Sequence, residues 1–198
     1  MNKILAYIAI VLGVLEIVLV LASWMLSVLL PDSGIRSMLD GEGIRWFFGG
    51  FVDMLAGPVL VWILLLSIAV GCFYGSGLAC VFRSGYSLRY RERIALTLVG
   101  ILLLVYAGAF GLLAFIPHAV LLSASGHIFP SPFSSSIVPV VAFGVTSLAV
   151  VYGIVSARFC GMEDVYKSLF KGIGMFAPFF LFYILLAQLY HSVVFVFG

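Results

Sequence analysis

One acidic side chain stands in the middle of a long apolar run: Glu16, in VLGVLEIVLVLA. If that run crosses a bilayer, a charge at its centre costs roughly 2.5–3.5 kcal/mol, so an intramembrane acid is by default a functional candidate. Two chemistries suit it. As a carboxylate it would take up a proton or hold a cation; as a neutral acid it would bond to a neighbouring helix and do nothing more. The sequence offers no second central acid or base to complete a proton relay. His191, beside Tyr190 and Gln188 in LLAQLYHSVVFVFG, falls near the end of the last apolar run, where amphipathic side chains anchor at headgroup level. His118 and His127 flank a polar connector, open to a pH-sensing role. Cys72, Cys80 and Cys160 lack metal-ligand spacing and read as small hydrophobes, so no metal and no cofactor is expected. HExxH, Cys-x-x-Cys pairs, Ser/His/Asp spacing and Gly-rich phosphate loops are all missing. The chain is not read as an enzyme.

The elements that would position Glu16 follow from composition. Of 198 residues, 64% are hydrophobic and 9% charged, and the mean hydropathy is +1.28. Soluble domains are about 45–50% apolar and about 25% charged, so lipid must act as solvent here. Spanning segments then satisfy their own backbone as helices or closed barrels. The apolar runs are continuous rather than alternating, which selects helices. Five are long enough, near 4–30, 57–82, 94–116, 137–157 and 172–197. The expected fold is therefore all-α: a single polytopic membrane domain over 1–198. The first run, with Lys3 before it, exceeds the 7–15 apolar residues of a signal peptide and reads as a retained helix.

Orientation follows from the basic residues. Lys3, Arg83, Arg89, Arg91, Arg93, Arg158, Lys167 and Lys171 fall on one side, and Arg36 and Arg45 on the other. The positive-inside rule puts the N-terminus in the cytoplasm and the C-terminus outside. That rule by itself accounts for the arginines of RSGYSLRYRER, although a basic loop at a membrane also attracts anionic lipid or a cytoplasmic protein. With a net charge of +2, no nucleic-acid surface is expected. The outer connector 117–136 holds Pro117, Pro130 and Pro132, with an apolar AVLLSA able to dip into the membrane.

Two patterns remain. Small residues recur four apart, Ala107 with Gly111 and Gly153 with Ala157, the spacing that lets helices approach closely in lipid. The run Ala107-Gly108-Ala109-Phe110-Gly111 is dense enough to suggest local unwinding and backbone contact with a substrate. The segment SMLDGEGIRWFFGG has apolar residues near helical spacing, with Asp40 placed to cap a helix lying along the outer interface.

Ser37, Met38, Leu39, Gly41, Glu42, Gly43, Ile44, Arg45 and Trp46 in that segment resemble a signature of the p-aminobenzoyl-glutamate transporter (AbgT) family. Gly71, then Ser76-Gly77-Leu78, then Ala107, Gly111, Pro117 and Ala119 extend the resemblance, over roughly residues 10–130. It implies an inner-membrane, antiporter-like, ion-coupled carrier of aromatic-amide or other organic anions, built from repeats with broken helices. The chain is under half a family member's length. It would therefore act with further copies of itself or with a complementary membrane subunit. Gly108 and Ala109 stand where the family carries serine and an acid, and Tyr74 stands where an acid is expected. The alternative is a non-transporting membrane subunit or scaffold that has lost these groups.

Overall fold

The computed structural model describes residues 2–31, 34–82, 88–115 and 132–198. Seven helices occur among them: α1 Asn2–Leu29, α2 Gly41–Leu55, α3 Pro58–Gly75, α4 Leu78–Val81, α5 Tyr90–Phe115, α6 Pro132–Val155 and α7 Met162–Phe197. Five are long and apolar enough to cross a membrane: α1, α3, α5, α6 and α7. The all-α, five-span architecture of a multi-pass membrane protein is thus present. Pro117, Ala119, His118, His127 and the AVLLSA segment lie outside the described residues.

Three boundaries shift from the hydropathy reading where a polar residue acts locally. The second span stops at Gly75 instead of residue 82. Ser76 turns the chain there: its hydroxyl donates to Phe73 O (3.2 Å) and accepts the Leu78 N–H (3.3 Å), while Gly77 takes the left-handed φ of +78°. The third span starts at Tyr90, four residues early, because Glu92 Oε2 accepts the Arg89 N–H at 3.0 Å. That bond is the return half of a capping box. The last helix starts at Met162, so most of the connector expected over 158–171 is helical. Asp164 accepts the Cys160 N–H at 2.9 Å, and Glu163 pairs with Lys167 one turn on at 2.6 Å. At 36 residues and a rise of about 1.5 Å each, α7 is longer than the ~30 Å hydrocarbon core.

The chain divides into two compact units, 1–61 with 177–198, and 62–176. In the first, the amphipathic α2 forms as expected, with Asp40 Oδ1 accepting the Gly41 N–H at 2.8 Å. Ahead of it the chain is pinned by two bonds. Arg36 N–H reaches Val196 O (3.1 Å), and Met38 N–H reaches the buried Ser23 hydroxyl (3.1 Å). Met38, Phe195 and Val196 form the core, with Trp46 stacked on Phe195 at 4.3 Å and Arg36 over the same ring at 5.9 Å. Gly43 is required here: a Cβ would lie 2.6 Å from Met38 Cα.

In the second unit Leu78, Ala95, Val99 and Tyr152 form the core. α5 lies on α6, where Tyr106 donates to Val140 O at 2.7 Å. α3 meets α7 backbone to backbone, because Gly71 and Gly172 remove the Cβ atoms that would keep them apart. Beside that contact, the Cys72 thiol and Ser168 hydroxyl are 3.5 Å apart.

The end of α6 is a Schellman motif. Ala157 N–H bonds to Ile154 O (3.0 Å) and Arg158 N–H to Gly153 O (2.9 Å), with Ala157 at a left-handed φ of 58°. Gly153 and Ala157 therefore do not form a face for a second helix. Gly153 makes room for the Phe159 ring, and Ala157 lies beyond the helix end. Because alanine is strained in that conformation, Ala157→Gly is expected to stabilise the protein by roughly 0.5–1 kcal/mol. A thermal melt in detergent should show a midpoint higher by about 1–4 °C.

Candidate functional site

Glu16 sits at the middle of α1 and is half-buried; the other members of its cluster come from α7. Gln188 and Ser192 are one turn apart on that helix, 6% and 0% exposed. Four-residue spacing in a helix puts two side chains on the same face, and Gln188 Nε2 donates to Ser192 Oγ at 3.4 Å. Ser192 in turn donates to Glu16 Oε1 at 2.5 Å. The chain of donors thus ends on a carboxyl group inside the membrane-spanning region.

Two acceptors of this cluster remain unsatisfied. Glu16 Oε2 and Gln188 Oε1 are both buried without a hydrogen-bond partner. A buried acceptor left without a donor costs about 1–3 kcal/mol, and native interiors seldom tolerate it without a reason. A proton on the carboxyl group, a cation or a water molecule would satisfy such oxygens. Among the described residues, no three or more His, Cys, Asp or Glu lie close enough together to hold a metal ion.

Other candidates named from the sequence fall elsewhere. His191 is not bonded into the cluster; its ring meets Tyr190 edge-on at 5.3 Å. Ala107, Gly108 and Ala109 are exposed, and α5 runs through them and Gly111 without interruption, so the expected unwinding does not occur. Among the described residues, a Cβ added at Gly108 or Gly111 would have no neighbour within 4 Å, so none of the described helices approaches closely there. Ala107 lines a wholly apolar cavity of about 260 Å³ with Tyr106 and Phe110.

The motif residues hold local structure together. Ser37 Oγ accepts the Leu39 N–H at 3.2 Å, Gly41 takes the Asp40 cap, Gly43 allows the tight approach to Met38, and Trp46 stacks on Phe195. Glu42 and Arg45 are exposed. Ser76, Gly77 and Leu78 build the turn between α3 and α4.

Sequence reasoning missed Ser192, whose only signal was its four-residue spacing from Gln188 in an apolar run. It also missed an ion pair between the buried Glu92 and the partly exposed Arg158, Nη2 to Oε1 at 3.2 Å. Both residues lie in segments that hydropathy reads as connectors, and nothing local joins positions 66 apart.

Residues 79–195 match the family model described as the AbgT putative transporter family. No curated protein and no solved structure matches the chain. The matched segment contains Ala107–Gly111, Gln188, Ser192 and the Glu92–Arg158 pair, whereas Ser37–Trp46 and Ser76–Leu78 lie before it. The match overlaps the resemblance read from the sequence over residues 79–130 and extends it to residue 195.

Proposed function

The chain belongs to the AbgT family of membrane transporters, and on that premise we propose that it is an ion-coupled carrier in which Glu16 is the coupling carboxylate. The observation that carries this reading is the buried, unpartnered Glu16 Oε2 beside the Ser192 hydroxyl. Uptake of a proton or cation there would satisfy an oxygen that otherwise costs free energy, and its release would restore that cost. A site of that kind has two states, which is what coupling requires. Aromatic-amide or other organic anions, p-aminobenzoyl-glutamate among them, are the cargo this reading assigns. The bacterial inner membrane, with the N-terminus inside, is the assigned location. Further copies or a complementary subunit would complete the pathway.

One observation favours the second reading, a subunit that does not transport: Glu16 Oε1 is already bonded to Ser192, as a purely structural acid would be. Flux in liposomes separates the two. Proton and sodium movement is measured with p-aminobenzoyl-glutamate present and absent, for wild type and Glu16→Gln. Glutamine keeps the acceptor for Ser192 but cannot exchange a proton, so coupled flux is expected to fall about tenfold or more. Equal flux in both proteins would remove Glu16 from coupling. No flux in either, from correctly inserted protein, would favour the subunit.

A further inference from the structure

The second unit holds a basic cavity that the transport reading does not use. It has a volume of about 660 Å³ and is lined by Arg89, Tyr90, Arg91, Glu92, Ser156, Ala157 and Arg158. We propose that this cavity binds the phosphodiester headgroup of an anionic phospholipid.

Its depth is fixed by the helices that make it. One wall is the first turn of α5, whose apolar span begins at Tyr90; the other is the turn just past the end of α6 at Val155. Both walls therefore end where hydrocarbon gives way to headgroups. A small soluble anion needs no such level, but a lipid phosphate is confined to it. Tyr90, 79% exposed, has the amphipathic ring that residues at this level commonly carry.

Its charge is one-sided. Three arginines and one carboxylate line it, and that carboxylate is already engaged: Glu92 Oε1 holds Arg158 and Oε2 holds the Arg89 N–H. The first intrahelical bond of α5 runs from Arg93 N–H to Arg89 O. The N–H groups of Tyr90, Arg91 and Glu92 thus precede the ladder, the arrangement that favours phosphate at a helix start. Planar guanidinium groups match phosphate oxygens two at a time.

Arg158 is also held in advance of any ligand. Its guanidinium lies over Gly77, where a Cβ would overlap its nitrogen atoms, and its other side is tied to Glu92. Basic residues that only set orientation need no enclosed volume and no fixed rotamer. This one lines an open cavity and is held by Glu92 and against Gly77, and a cationic cleft at the membrane edge is a recurrent form of headgroup site.

Arg89 and Arg91 are exposed, so Arg89→Gln/Arg91→Gln removes charge from the cavity and leaves the Glu92–Arg158 pair in place. Binding of dioctanoyl phosphatidylglycerol, dioctanoyl phosphatidylcholine and inorganic phosphate to the full chain in neutral detergent is measured by native mass spectrometry and ligand-induced thermal shift. Phosphatidylglycerol is expected to bind one per chain, with phosphatidylcholine and inorganic phosphate binding much more weakly. In the double variant, with an unchanged melting point in the absence of lipid, phosphatidylglycerol affinity should fall roughly 30-fold. Wild-type affinity in that variant would overturn the assignment, as would equal binding of phosphatidylcholine. If inorganic phosphate competes as well as the lipid, the site is one for a free anion and the lipid assignment fails.

Discussion

Glu92→Ala is expected to destabilise the protein by about 2–4 kcal/mol, and the loss should appear as a much lower melting point in detergent. The residue is 4% exposed and makes two bonds from one carboxylate. Oε1 accepts from Arg158 Nη2 at 3.2 Å, and Oε2 accepts from the N–H that precedes α5 at 3.0 Å. Removing one partner of a buried pair typically costs 3–5 kcal/mol, because the other charge stays behind without its counterion. The Arg158 side chain is 34% exposed, so water screens part of that cost, which lowers the estimate to about 2–4 kcal/mol. Glu92→Gln separates the contributions. It keeps an oxygen acceptor but loses the charge, and should recover part of the stability. A double-mutant cycle with Arg158→Ala measures the coupling directly. Single and double variants whose effects simply add would show that the pair is not an energetic unit.

The second large effect is expected at Gly172. A Cβ there would overlap the carbonyl oxygen of Ser67 and come within 2.7 Å of Gly71 Cα. The reciprocal Cβ on Gly71 would lie 2.5 Å from Gly172 N. These are backbone atoms, which cannot turn aside as a flexible side chain can. Overpacking a well-fitted interior usually costs about 1–3 kcal/mol. With backbone on both sides, Gly172→Ala should reach or exceed the upper end of that range, because α3 and α7 must separate to admit the methyl group. Gly174→Ala is the control on the same helix. Its Cβ meets nothing within 4 Å, so only helix propensity acts, and the variant should be neutral or more stable by up to about 1 kcal/mol. Thermal melts of the two variants should move in opposite directions, or at least differ clearly in size. Similar melting points would place the helices farther apart than the glycine contact requires.

The two predictions concern contacts of different legibility. Gly71 stood out in the sequence only through the family resemblance, and its partner Gly172 not at all. Ala107 and Gly111 have the better spacing for close packing, yet Gly111 has no described atom within 4 Å of a Cβ position, and Ala107 borders a cavity between α5 and α6 instead of a backbone contact. In water, a helix shows which face it buries through the contrast between apolar and polar stripes. In lipid that contrast fades, since a face turned to acyl chains is as apolar as one turned to another helix. α3 and α5 are apolar nearly all round. Their sequences therefore name their depth but not their neighbours.

The sequence by itself determined the five spans, the amphipathic α2 with its Asp40 cap, and Glu16 as the acid whose burial needs a reason. Each depends on hydropathy, segment length or a cap within a few residues, and such information is local. The tertiary structure alone decided that Glu16 meets Ser192, that Glu92 meets Arg158, and that Gly71 meets Gly172. Those pairs depend on how each helix is rotated about its axis and where it crosses another. Rotation is set by the fit of side chains across the contact, and a nearly uniform apolar surface leaves no mark of it in the order of the residues.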